Sequence, residues 1–245
     1  MLHFAKEDFD IALLLYNEKE YSNALYHYNQ CVEKTVNYIG LSTGSISEDQ
    51  LKDISHKPIK VFSYLFDHIR KQSNGLMPPV DPRIFDEARK IIELKSEDQI
   101  VIECISILKL IANEKDVINE MLYPSRLEAL RDYISKNLPE IDLGLDDEKY
   151  KDELAIYFDK KVQSFILFIN CSIKILRILF INSLICSKFI PDSFRYTTES
   201  IGSPIEYFNK NNAFIKGLPY LMKTMNIPIQ FSAELDWKSN SLRLK

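Results

Sequence analysis

The chain has 245 residues, a formal net charge of −4 and only 6 glycines against 10 prolines. Glycine so far below its usual share of about 7% argues against folds built on tight hairpins or glycine-rich phosphate loops. Apolar residues at 46% and charged residues at 27% exclude wholesale disorder. Windows 1–57, 83–123 and 140–190 are free of proline and can therefore hold long helices. In the first window Phe4, Phe9, Ala12, Leu13 and Tyr16 recur at helical spacing, and Asn17 to Glu20 form a polar turn. Tyr21, Ala24, Leu25, Tyr28, Val32, Val36 and Ile39 then give a second helix. Gly40 followed by Ser42-Thr43-Gly44-Ser45 is expected to end it. A connector helix at 47–53 leads to a third long helix at 58–72, with Pro58 in its first turn.

Asn74-Gly75 and the prolines at 78, 79 and 82 mark a loop. Helices are expected at 82–94, 97–121 and 125–137, the second opening on Ser96-Glu97-Asp98, followed by a turn at 138–146. The acidic run Asp146-Asp147-Glu148 favours the start of a helix that reaches Ile190 and bends near Asp159 to Lys161. Beyond Pro191 prolines recur about every ten residues. One helix is expected there, near 204–224, and the last twenty residues read as a short strand pair or a loose tail. The fold class is thus all-α, one domain over 1–190 with a C-terminal extension at 191–245.

The extension is the basic part of an acidic chain: residues 188–245 carry a net +3, leaving −7 on the rest. Such a tail suits an anion or an acidic partner, or is a fluctuation in a small count. Cys31, Cys104, Cys171 and Cys186 form no CxxC pair and lie among apolar residues, so free buried thiols are expected. The start of the chain has no basic stretch followed by a long apolar core, which points to a cytoplasmic protein. The apolar stretch 162–190 is interrupted by Lys174, Arg177 and Lys188, and its longest uncharged run is too short for a bilayer. No membrane role is expected.

No dinucleotide or P-loop glycine motif is present, nor HExxH, CxxC, an EF-hand loop or GxSxG. No metal, cofactor or catalytic residue is therefore assigned. Acid pairs such as Glu33 with Glu148, or Glu153 with Asp159, are more simply solvated helix-surface carboxylates. His56, before Pro58, either lines a cleft or is a plain surface or capping histidine. Arg177 is either a buried cation needing an acidic partner or the edge of a wet strip on an apolar helix. Arg195-Tyr196, at the opening of the basic tail, either reads a phosphate and a base by charge and stacking or docks the tail on the body.

Several of these residues also carry a resemblance. Ala5-Lys6-Glu7-Asp8 with Ala12, then Tyr21-Ser22-Asn23-Ala24, then Gln30-Cys31-Val32-Glu33-Lys34, follow an order that resembles the start of many HEPN proteins. His56-Lys57 is similar to the abortive-infection branch of that family, and Arg195-Tyr196 with Ser203 to Phe208 looks like the segment after its last helix. The resemblance implies an up-and-down helical bundle, with 75–145 as a helical insertion, and a homodimer. It further implies binding of a nucleotide, RNA or cognate protein, in phage defence or a toxin–antitoxin pair. Glu33, Lys34, His56, Lys57, Arg177, Arg195 and Tyr196 are the candidate ligand-binding residues. Many HEPN proteins are ribonucleases with an arginine followed four to six residues later by a histidine. Here all the histidines (3, 27, 56 and 68) precede the first arginine, Arg70, so that motif is absent and a non-catalytic binding or regulatory role is expected. A divergent nuclease remains an alternative. So does a helical interaction scaffold, because tetratricopeptide hairpins share the Tyr…Ala…Tyr pattern.

Overall fold

The computed structural model describes residues 1–54, 56–72, 88, 90, 94–113, 172–188, 194–198 and 202–243. Its long helices are α1 (Leu2–Asn17), α2 (Tyr21–Ser42), α4 (Ile59–Gln72), α5 (Glu97–Asn113) and α8 (Ala213–Arg243), with the shorter α3 (Glu48–Ile54) and α7 (Pro204–Tyr207). Residues 172–186 form a further helix, α6. Among the described residues the only β-type pairing is one bridge between Thr198 and Gly202, and the chain is all-α. It divides into two compact units, Met1–Ala112 with Arg177–Lys245, and Asn113–Leu176. The expected helix at 125–137, the turn at 138–146, the start of the 146–190 helix and most of the 75–145 insertion lie outside the described residues.

In the first unit α2 is the central helix, touching α1, α4, α7 and α8. The α1–α2 turn is short enough to force antiparallel packing. It closes through Glu20 N–H donating to Leu15 O at 2.8 Å, with Lys19 in the left-handed region at φ 65°. Small side chains set the contact, since Ala5, Ala12 and Ala24 are all fully buried. Along α2, Leu25, Tyr28, Cys31, Val32, Thr35 and Val36 are buried at helical spacing. A void of only about 10 Å³ remains where Leu25 and Tyr28 meet Ile185 and Cys186 of α6, Phe194, and Phe214 and Leu221 of α8. These helices therefore share one close-packed core.

α2 ends in the expected run, at Ser42, with Gly44 in the left-handed region at φ 69°. Gly40 itself is buried inside the helix. A Cβ there would lie 2.8 Å from both Ile46 Cδ1 and Val61 Cγ1, so the missing side chain lets α4 approach. Gly40→Ala gains about 1 kcal/mol in helix propensity. It meets an overlap costing about 1–3 kcal/mol, because Val61 is β-branched, fully buried and slow to yield. A net loss of about 1 kcal/mol is expected in urea unfolding, with Gly40→Leu clearly worse.

The C-terminal segment corrects two expectations. The helix expected at 204–224 is broken, and the strand pair or loose tail is a helix. Local chemistry explains the break: Asn209 Oδ1 accepts from Asn211 N–H at 2.8 Å, and Asn212 Oδ1 accepts from Phe214 N–H at 2.9 Å. These asparagines end α7 and cap α8 with their own side chains. α8 then runs through Pro219 and Pro228. Two interior prolines cost about 6 kcal/mol together. Burying Phe214, Ile215, Leu218, Leu221, Met222, Met225 and Ile229 on one face contributes about 1.5–3 kcal/mol each, which outweighs that cost. Among the described residues no helix is long and apolar enough to cross a membrane.

Candidate ligand-binding groove

The sequence places Arg195 just beyond α6, and the fold turns it toward the α1–α2 turn. Between that turn and the segment 194–210 lies an open groove of about 820 Å³. Lys19, Arg195 and Lys210 bring positive charge to it, against Glu20 alone on the acidic side. The first residues of α2, Tyr21, Ser22 and Asn23, form part of its wall, and no side chain caps that helix start. Phe194 and Phe208, with centroids 5.3 Å apart, are buried at the base, while Pro204 and Ile205 supply apolar lining. Ser22 Oγ donates to Phe194 O, fixing the segment to α2. Among the described residues no carboxylate forms an ion pair with Lys19, Arg195 or Lys210. Arg195 instead lies over the Tyr26 ring, 4.8 Å from its centroid.

The remaining candidate residues are not among those lining the groove. Glu33 and His56 meet each other, His56 Nδ1 lying 3.1 Å from Glu33 Oε2. Glu33 is mostly buried and His56 mostly exposed, so the carboxylate orients the ring and its Nε2 is the outward nitrogen. Lys57 is exposed beside it. Lys34 pairs with Asp8 of α1, and the same carboxylate accepts from His27 Nδ1 at 2.8 Å. Arg177 is exposed on α6, which selects the wet-strip reading over the buried cation. Tyr196 is 59% exposed, next to Arg195 in sequence.

Asp8 and His27 were not singled out from the sequence. The signal available was positional: Asp8 shares the α1 face of the fully buried Ala5 and Ala12, and only 7% of it is exposed. A carboxylate there needs partners, and α2 supplies two. A similar tie joins α5 to the C-terminal segment. Glu97, at the start of α5, accepts from Tyr207 Oη and from Asn212 Nδ2, the latter at 3.0 Å. Burial, helped by the Glu97 charge, pushes the Tyr207 phenol up to about 12. Among the described residues no group of His, Cys, Asp and Glu is arranged to hold a metal ion.

No known protein family, curated protein or solved structure matches this chain.

Proposed function

We propose that this chain is a non-catalytic binding protein whose groove takes the phosphate of a nucleotide or a single-stranded RNA, in the manner expected of a HEPN-like regulatory protein. The observation that carries the reading is the convergence of Lys19, Arg195 and Lys210 on one groove without acidic ion-pair partners among the described residues. Grouping like charges is unfavourable unless an anion joins them. The uncapped start of α2 adds its amides and the positive end of its dipole in the same wall. Lys19 supports the reading in another way. It holds a left-handed backbone that glycine would adopt without the ~1–2 kcal/mol penalty, and strain of that kind gathers at binding sites. The homodimer expected from the resemblance finds support in Phe4, Ile11 and Leu14, exposed along one side of α1. The mass of the chain in solution tests that part.

A fluorescein-labelled single-stranded RNA, titrated by anisotropy at several salt concentrations, tests the groove. Arg195→Ala and Lys210→Ala should each weaken binding about tenfold and lower the log–log salt slope by about 0.7. Lys19→Gly should weaken binding while leaving stability equal or slightly higher, since the left-handed strain is relieved. Unchanged affinity in all of these variants would remove the groove from consideration.

The Glu33–His56 pair favours a second reading, a divergent nuclease. An imidazole oriented by a carboxylate is the arrangement of a general base. It lies apart from the groove lining, which is why binding is preferred. The RNA should remain intact during the titration; cleavage abolished by His56→Ala would reverse the preference.

A further inference from the structure

The groove contains one cation whose direction is set by something other than a counter-charge. Arg195 is exposed, on a segment that also forms the Thr198–Gly202 bridge, and its guanidinium carbon sits 4.8 Å from the centroid of Tyr26. A long side chain of this kind ordinarily samples many rotamers and loses up to about 2 kcal/mol of entropy when a ligand fixes it. Stacking on an aromatic face removes part of that cost beforehand. It leaves the guanidinium edge, with its fork of N–H donors, available to a phosphate.

Tyr26 is itself held. It projects from α2, and the His27 ring stands nearly perpendicular to it, at 85° and 5.3 Å between centroids. His27 Nδ1 is in turn fixed 2.8 Å from the buried carboxylate of Asp8 on α1. Tyr26 is absent from the groove lining, so its ring acts on the ligand only through the arginine.

We propose that Tyr26 is a positioning residue which, braced by the His27–Asp8 pair, holds Arg195 in the orientation that receives a ligand phosphate. The inference rests on the binding reading above and assigns to the α1–α2 hairpin the task of ordering a side chain that belongs to the C-terminal segment. Tyr26 contributes no charge to the ligand. Its loss should therefore weaken affinity without removing a phosphate contact.

The test combines binding of the same labelled RNA with nuclear magnetic resonance of the free protein. Tyr26→Leu should weaken binding about fivefold, the equivalent of about 1 kcal/mol of cation–π stacking, while the salt slope stays that of the wild type. Tyr26→Phe keeps the ring face and should restore wild-type affinity, an outcome that a general loss of packing would not give. In an Arg195→Ala background, Tyr26→Leu should have no further effect. In the free protein the Arg195 δ-protons should show an upfield ring-current shift that survives Tyr26→Phe and disappears in Tyr26→Leu. Equal affinity of the wild type and Tyr26→Leu, or additive losses with Arg195→Ala, overturns the proposal. If the wild type binds no RNA, the binding reading falls. The ring-current shift then decides the stacking separately, and its absence overturns the positioning role as well.

Discussion

Replacing Tyr28 with alanine is expected to cost about 3–5 kcal/mol, read as a lowered midpoint in urea unfolding. Tyr28 is only 1% exposed, in the middle of α2, where α6 and α8 converge. Its ring fills volume that smaller neighbours cannot collapse into, and its hydroxyl donates to Asn182 Oδ1 on α6. Asn182 is fully buried and spends its amide on Ile178 O at 2.7 Å, so Tyr28 is the partner of its carbonyl. The two contributions separate by substitution. Tyr28→Phe keeps the volume and strands one buried acceptor, costing about 1–3 kcal/mol. Adding Asn182→Leu to Tyr28→Phe removes both polar groups and should recover part of that loss, because an apolar pair of similar shape leaves nothing unsatisfied. A Tyr28→Phe variant as stable as the wild type would mean that the hydroxyl bond contributes nothing net. With domains stable by only about 5–15 kcal/mol, the alanine variant is left close to its unfolding threshold.

The same region shows what the sequence made legible and what it did not. Apolar spacing in residues 1–42 located α1, the turn and α2, but on α1 it named the wrong face: Phe4 and Leu13 are exposed, and the buried stripe is Leu2, Ala5, Asp8 and Ala12. The run Gly40-Leu41-Ser42-Thr43-Gly44 showed where α2 ends, but the packing role of Gly40 is tertiary: the tight approach of Ile46 and Val61 leaves no mark in it. Pro228 misled for the opposite reason, while the expected helix already ran through Pro219. Their local cost is real, but seven apolar side chains at helical spacing outweigh it, and that spacing was visible. The site divides in the same way. Arg195 stood out as a cation opening the basic tail, yet Lys19 and Lys210 join it only through folding. Glu33 and His56 were each noted, but their meeting depends on how α2 stands against the segment before α4. The pairing of Asp8 with His27 was not legible, since an acidic residue in a first helix reads as solvated until α2 is laid against it.

Stability is expected to fall steeply above pH ~9. The cause is the set of buried thiols. Burial pushes Cys31 up to about 12 and Cys104 up to about 11, and raises Cys186 further. In the unfolded chain the same groups ionise near ~8.5. Below that pH both states hold the protons and the thiols leave stability unchanged. Between ~8.5 and the folded values the unfolded chain releases protons that the native state retains, so the equilibrium shifts toward unfolding. Each buried thiol then removes up to about 1.4 kcal/mol per pH unit, and the three together about 4. Above pH ~10 the buried Tyr28 phenol, also raised by burial, adds to the slope in the same direction. Urea unfolding at stepped pH values measures this directly. Cys31→Ala lowers stability at neutral pH by opening a cavity, but it should make the alkaline slope shallower by about 1.4 kcal/mol per pH unit. That change in slope is independent of the cavity, which acts equally at every pH. A slope unaltered by losing Cys31 would show that its thiol ionises alike in the two states, contrary to its complete burial on α2.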